Sequence, residues 1–240
     1  MMPSFSFDGC PATGAYPTRH ALVWVDRLHW QRYLSAKLPS DQLAAAQAWF
    51  RSGRPAVARR RRAAEPDGVS LGIPLSPANG GARIALTLAD DAIREIQPPP
   101  SLARVIPAAP PAWRQALKQL IQAARTHGVS FRVYGSLAWQ YLTGECYVTT
   151  NSDVDLLFYP ADYAQLGFTL QLLQDWEQKN GLRADGECIS ASGMAIAWRE
   201  MLCTRDKWLT KDISSARLRP RAEIFQTFSF GGSPHTFFRP

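Results

Sequence analysis

The sequence is poor in residues that build redox and zinc centres. It holds four cysteines and four histidines in 240 residues. Cys10, Cys146, Cys188 and Cys203 form no CxxC pair, and no histidine stands at zinc-ligand spacing from them. A zinc ribbon or thioredoxin-type centre is therefore excluded, and reduced structural thiols in a cytoplasmic protein are expected. His20, His29, His127 and His235 are scattered, and none reads as a nucleophile or ligand. The first residues, MMPSFSFDGCPATG, lack a basic n-region and a continuous apolar core, so no secretory signal is expected. No apolar run approaches the ~20 residues of a membrane span, so no membrane partner is expected. There is no internal repeat. Basic runs are present, but neither interleaved aromatics nor a recognised module accompanies them, so nucleic acid is not the expected partner.

What is present is basic and aromatic. The formal net charge is +7, which favours an anionic partner. Eight tryptophans are many for this length and serve as core or groove walls. The run Arg59–Arg62, with Arg51 and Arg54 nearby, reads either as a solvated edge or as an electrostatic guide for a phosphate-rich ligand or acidic protein.

The most informative stretch is residues 131–159, FRVYGSLAWQYLTGECYVTTNSDVDLLFY. A short apolar run is followed by Gly135-Ser136 and a helix-like segment, Leu137–Leu142. After a polar loop comes the apolar run Val154–Phe158, with Asp153 before it and Asp155 inside it. Residues two apart on a strand share one face, so the two acids project together. Two close carboxylates repel, and burying them is costly. A divalent cation removes the penalty. Hard oxygen ligands suit Mg²⁺, with Mn²⁺ as a substitute, beside substrate phosphates. Backbone N–H groups at a helix N-terminus bind phosphate, and Gly135 allows close approach.

Along the chain, residues 1–16 read as a loose lead-in and 17–97 as a smaller α+β N-terminal domain. Within it, Ala21–Val25 is a strand or the first turn of a helix. Ser40 or Asp41 can cap an Ala-rich helix over Gln42–Phe50 that ends at Gly53. Residues 54–58, Val69–Ile73 and Arg83–Leu88 read as strands. The Pro-rich zone 98–111 is the linker. Ala112–His127 is an amphipathic helix with Trp113, Leu117, Leu120, Ile121 and Ala124 on one face and Gly128 at its end. Leu166–Lys179 reads as a further helix, Leu182–Ser190 and Lys207–Ile213 as strands, and Ala195–Leu202 as a strand or short helix. The second domain spans 112–218, and 219–240 reads as a tail.

Gly-Ser at a strand-to-helix turn followed by Asp-x-Asp on the next strand resembles the polymerase-β-type nucleotidyltransferase signature. The spacing of Ser136 from Asp153 exceeds the shortest form and implies a longer helix-plus-loop. This resemblance implies an α+β fold whose second domain is a mixed sheet flanked by helices. It also implies a third acid on a later strand, for which Asp185 and Glu187 are the two candidates, and basic residues such as Lys207, Lys211 and Arg199 against a polyphosphate.

Further residues narrow the resemblance. Tyr134–Gln140, Leu142-Thr143-Gly144 and Ser152–Leu157 are similar to the malonate decarboxylase holo-acyl-carrier-protein synthase family, also called phosphoribosyl-dephospho-CoA transferase. Arg19-His20, Gly53-Arg54-Pro55, Arg59-Arg60, Leu71–Pro74, Asp185–Glu187 and Ala197–Glu200 agree, whereas Arg61, Arg62 and the residues after Leu218 have no counterpart. The resemblance implies transfer of the prosthetic group from 2′-(5″-triphosphoribosyl)-3′-dephospho-CoA to a serine of the acyl-carrier subunit of malonate decarboxylase, with release of pyrophosphate. It implies Asp153 and Asp155 as catalytic metal ligands and Gly135 and Ser136 on the triphosphate; Arg59, Arg60 and Lys211 are further candidates for phosphate binding. The competing expectations are a nucleotidyltransferase with another acceptor (an aminoglycoside, an RNA end or a protein tyrosine), and an inactive module that only binds a partner.

Overall fold

A computed structural model describes residues 17–228. The expected lead-in and the end of the expected tail lie outside the described residues. Mixed α and β elements build two sheets.

The first sheet uses β1 (Leu22–Val25), β2 (Ala56–Ala58), β3 (Val69–Pro74), β4 (Arg83–Leu88) and β5 (Ile93–Gln97). Their order is β4-β3-β2-β1-β5, with every pairing antiparallel. The ambiguous run at 21–25 is thus a strand, with Leu22, Val23 and Val25 buried. On β4, Ile84, Leu86 and Leu88 recur every second residue and are all buried.

Two helices supply this sheet's remaining apolar surface, α1 (Arg27–Lys37) and α2 (Ser40–Arg51). Helix α1 was not foreseen, because only Trp30 and Leu34, one turn apart, mark its buried face. Asp26 caps it by accepting N–H bonds from Leu28 and His29. Helix α2 starts at Ser40 with Pro39 in the cap position, so Ser40 is the first helical residue rather than the cap.

The second half runs α3 (Leu102–Val105), α4 (Pro111–Arg125), β6 (Phe131–Val133), α5 (Gly135–Thr143), β7 (Val154–Phe158) and α6 (Tyr163–Asn180). It continues with β8 (Ala184–Ile189), β9 (Ala195–Ala197), α7 (Trp198–Met201), β10 (Lys207–Lys211), β11 (Ala216–Pro220) and α8 (Arg221–Thr227). The six strands lie in the order β11-β10-β9-β8-β7-β6. Strands β7 and β8 are parallel and joined through α6; the other pairings are antiparallel. A parallel neighbour needs such a helical crossover. On α4, Leu117, Leu120 and Ala124 are buried as their spacing predicts. Asp162 starts α6 earlier than the sequence suggests, by accepting the Gln165 N–H at 2.7 Å. Residues 195–202 hold both a strand and a short helix. The expected tail from 219 is corrected: α8 buries Ile224 and Phe225, and Phe228 joins the same core.

The halves are not separate bodies on a string. Trp139 from α5 and Tyr147 from the following loop belong to the core of the first sheet. Trp139 meets Trp49 edge-on at 5.5 Å. Tyr147 donates its hydroxyl to the Pro74 carbonyl at 2.8 Å, and Arg54 pairs with Glu145 at 2.6 Å. The long Ser136-to-Asp153 spacing is therefore the length of chain needed to finish α5, dock on the first sheet and return. Trp139→Ala removes a buried indole shared by both halves. Its expected cost is about 3–5 kcal/mol in urea unfolding followed by circular dichroism.

Candidate active site

The site begins with the β6–α5 turn. Tyr134 is extended, and its N–H donates to the Asp155 carbonyl at 3.1 Å. Gly135 then takes φ +65°, and a Cβ there would overlap the Asp155 carboxylate. Only glycine meets both demands. The Ser136 N–H donates to the Asp155 side chain, so the start of α5 faces that acid directly. Asp155 alternates with buried neighbours on β7.

Parallel pairing places Asp155 opposite Asp185 on β8, and Leu157 opposite Glu187. Residues in register on adjacent strands project on the same side, so Asp155 and Asp185 form a carboxylate pair. Gly186 lets the strands approach, since a Cβ there would overlap the Leu156 carbonyl. Asp153 stands just before β7, half-buried, with Arg183 Nε 3.4 Å from its carboxylate. Burial pushes the Asp155 pKa up to about 7, and the Asp185 and Asp153 charges add to it. The Ser136 N–H and Arg83 oppose the rise without cancelling it. A buried acid crowded by two others fits a site completed by a cation. Among the described residues no group of three Asp, Glu, His or Cys side chains is placed to hold a metal ion. Mg²⁺ needs none, because it takes one or two carboxylates with water and phosphate.

Glu187 does something different from its expected metal role. Arg19 Nη2 donates to both of its oxygens, at 3.0 and 3.1 Å, and Lys211 Nζ donates at 3.2 Å. His20 Nε2 donates to Oε2 at 3.0 Å, the carboxylate being acceptor only. Burial favours neutral Glu187. The His20 bond and the Arg19 and Lys211 charges nevertheless overcome it and hold the pKa at about 2. Burial lowers the His20 pKa, against the Glu187 hydrogen bond and charge, which raise it. Glu187 is thus a structural acid, and Lys211, expected on phosphate, is its partner.

Arg59, also expected on phosphate, grips Glu65 with two nitrogens at 2.9 and 2.6 Å and donates to the Leu71 carbonyl at 2.9 Å. Arg199 is paired with Glu177. Arg60 is exposed. His20, dismissed in the sequence, lies in the site: its ring stands 4.1 Å from that of Tyr134, and it holds φ +66° without being glycine. That conformation costs energy and is held here by the Glu187 bond and the Tyr134 ring. The signal available was the Arg19-His20 pair, but its partner is 167 residues away.

Gly135, Ser136 and Asp155 open into a cavity of about 630 Å³ between the two sheets. The opposite wall comes from the first sheet, with Val57, Ile73 and Ile84 as apolar lining and Arg62 and Arg83 as cations. A glycine turn opening a helix, paired carboxylates and a basic cavity define a phosphate-handling transferase.

Comparison with known proteins fixes the kind. Residues 18–99 match the family described as Phosphoribosyl-dephospho-CoA transferase MdcG N-terminal domain, and residues 101–222 match its C-terminal domain. A phosphoribosyl-dephospho-CoA transferase of Xanthomonas euvesicatoria pv. vesicatoria (strain 85-10) is 41% identical over 209 residues, covering 86% of this chain and 96% of the relative. That of Xanthomonas campestris pv. campestris (strain 8004) is 42% identical over 213 residues, with the same coverage. That of Bradyrhizobium diazoefficiens is 38% identical over 210 residues, covering 87% of this chain and 92% of the relative. No solved structure matches the chain. The chain belongs to the phosphoribosyl-dephospho-CoA transferase family.

Glu187→Gln leaves Arg19 and Lys211 facing a neutral group in a buried place. The expected loss is about 3–5 kcal/mol at pH 7. The Glu187 carboxylate has its folded pKa below the unfolded 4.5, so its contribution is complete above about pH 4.5 and fades as pH falls toward 2. Denaturant midpoints of the wild type and variant between pH 7 and 2.5 are expected to converge toward the acid end.

Proposed function

We propose that this chain transfers the 2′-(5″-phosphoribosyl)-3′-dephospho-CoA group from its triphosphoribosyl donor to a serine of the acyl-carrier subunit of malonate decarboxylase, releasing pyrophosphate. The observation that carries the reading is the in-register pair Asp155 and Asp185 beside the Gly135–Ser136 turn, in one cavity. Family membership supports the donor. The β6–α5–β7 arrangement supports a polymerase-β-like nucleotidyltransferase domain following an N-terminal unit, with the Pro-rich zone 98–111 between them.

In this reading Asp155 and Asp185 would hold Mg²⁺ or Mn²⁺ between them, with Asp153 beside the pair. Such an ion would supply neutralisation of the phosphate charge and make the phosphorus more electrophilic. The chain's own residues do the positioning. The N-terminal end of α5 presents its positive pole to the triphosphate. Gly135 leaves room for the Asp155 carboxylate against the turn, where a Cβ would overlap it. Asp155, buried beneath the turn, keeps its carboxylate next to the reacting phosphoryl group. The serine hydroxyl gives up its proton to solvent, its oxygen bonds to the α-phosphorus, and the bond from that phosphorus to the oxygen bridging to the β-phosphate breaks. Pyrophosphate leaves on the side opposite the serine.

A basic surface suits an acidic carrier partner. Among the described residues no helix is long and apolar enough to cross a membrane, and a cytoplasmic setting is part of the proposal.

Incubation with donor, Mg²⁺ and the carrier subunit is expected to add one prosthetic group to the carrier in intact-mass spectra. No mass gain on the carrier, with a gain on an RNA or small-molecule acceptor, would point to the competing acceptors. Asp155→Asn and Asp153→Asn are each expected to lower the transfer rate by at least about 10²-fold, in line with losing a group that acts on the transition state. Asp155→Asn also removes a buried, crowded charge. Its metal-free melting temperature at pH 8 is expected to rise by a few degrees, the usual sign of a site that trades stability for function.

A further inference from the structure

The cavity carries a charge surplus that the residues described so far do not explain. The charged groups lining it include Arg59, Arg62, Arg83 and Asp155. Arg59 is matched by Glu65. Arg62 and Arg83 are not: among the described residues neither guanidinium has a carboxylate within ion-pair distance or a side-chain hydrogen bond. Elsewhere around the site the cations are used. Arg19 and Lys211 answer Glu187, Arg54 answers Glu145, and Arg183 lies beside Asp153. Two unmatched guanidiniums facing a cavity are a standing invitation to an anion.

Of the two, Arg83 is nearer the chemistry. It is the first residue of β4 and pairs across the ladder with Pro74 of β3. Pro74 in turn accepts from Tyr147 in the loop that leads from α5 to β7. Arg83 thus sits where the first sheet meets the catalytic half. Its charge is felt at Asp155 across the gap. Arg83 is exposed, and its neighbours Ile84 and Ala85 line the same cavity. It keeps its hydration in the free protein, so its lack of a partner is tolerable until an anion arrives. A planar guanidinium can grip two oxygens of one phosphate, which an ammonium cannot.

We propose that Arg83, supplied by the N-terminal sheet, binds the pyrophosphate half of the donor's triphosphate, opposite the Gly135–Ser136 turn. This rests on the reaction assigned above and adds a residue for which neither the motif nor the basic run Arg59–Arg62 gave a sign. It also makes the N-terminal unit part of the donor site and not only a platform for the carrier. The triphosphoribosyl donor has a second phosphate chain, the diphosphate of dephospho-CoA, with the same chemistry. The test must separate the two.

Binding of inorganic pyrophosphate and of dephospho-CoA to the full chain is measured by titration calorimetry with Mg²⁺ present. The proteins compared are wild type, Arg83→Gln, Arg83→Lys and Arg205→Gln, the last being an exposed residue outside the cavity that removes the same charge. Arg83→Gln is expected to weaken pyrophosphate about 10- to 100-fold, the worth of one charged hydrogen-bonding group. Arg83→Lys is expected to fall between, and Arg205→Gln to match wild type. Dephospho-CoA affinity stays the same in all four. Melting temperatures stay within a degree or so, because Arg83 has no partner to lose.

Unchanged pyrophosphate affinity in Arg83→Gln overturns the proposal, as does a wild type that binds no pyrophosphate. A loss confined to dephospho-CoA also overturns it, by moving Arg83 to the other phosphate chain. An Arg83-dependent pyrophosphate site in a protein that adds no mass to the carrier leaves the proposal standing. It would be the acceptor reading that fails.

Discussion

The structure depends on one buried carboxylate. Glu187 sits on a central strand of the second sheet with its side chain almost fully enclosed. A bare charge there would be untenable, since the desolvation cost of a carboxylate is several kcal/mol even after relaxation. Arg19, His20 and Lys211 make it tenable, and two of the three come from the segment that leads into β1. The acid therefore fastens the entry of the first sheet to the middle of the second. It also sets the strained backbone of His20 and, through the ring contact, the place of Tyr134. Tyr134 immediately precedes the Gly135–Ser136 turn. One ion cluster thus reaches the geometry of that turn through two contacts.

Strand β8 divides its labour within three residues. Asp185 and Glu187 leave the same side of the strand, separated by a glycine that lets β8 lie close to β7. One acid is matched by cations and holds the fold. The other is left beside Asp155 and raises its pKa. The contrast between an acid pushed to about 7 and one held at about 2, on neighbouring strands, separates a carboxylate crowded by other acids from one matched by cations.

Much of the structure of residues 131–159 was legible because its logic is local. A Gly-Ser turn into a helix, and acids two apart at the start of an apolar strand, are patterns within thirty residues whose consequences follow from backbone periodicity alone. Asp185 and Glu187 could be marked as a pair but not told apart. Their difference lies in Arg19, 168 residues away from Glu187, and nothing in the sequence connects them. Arg59 illustrates the same limit. As part of a four-arginine run it suggested a ligand, yet folding brings Glu65 onto it. The elements missed also have physical reasons. Helix α1 has a sparse apolar stripe, while β11 is an edge strand with mostly polar or exposed residues and little to bury. Helix α8 is a short segment whose Ile224 and Phe225 become core only once the second sheet exists.

The reach of the Glu187 cluster bears on how the chain acquires its cavity. Contacts between residues far apart in sequence carry the largest closure entropy and form late. During synthesis the first sheet can pair its strands long before β8 leaves the ribosome. The cavity's lining is complete once Asp155 is made, but Glu187, which ties Arg19 and His20 to the second sheet, comes later. A chain that ends before β8 can therefore pair the strands of the first sheet and still lack the acid that stands opposite Asp155.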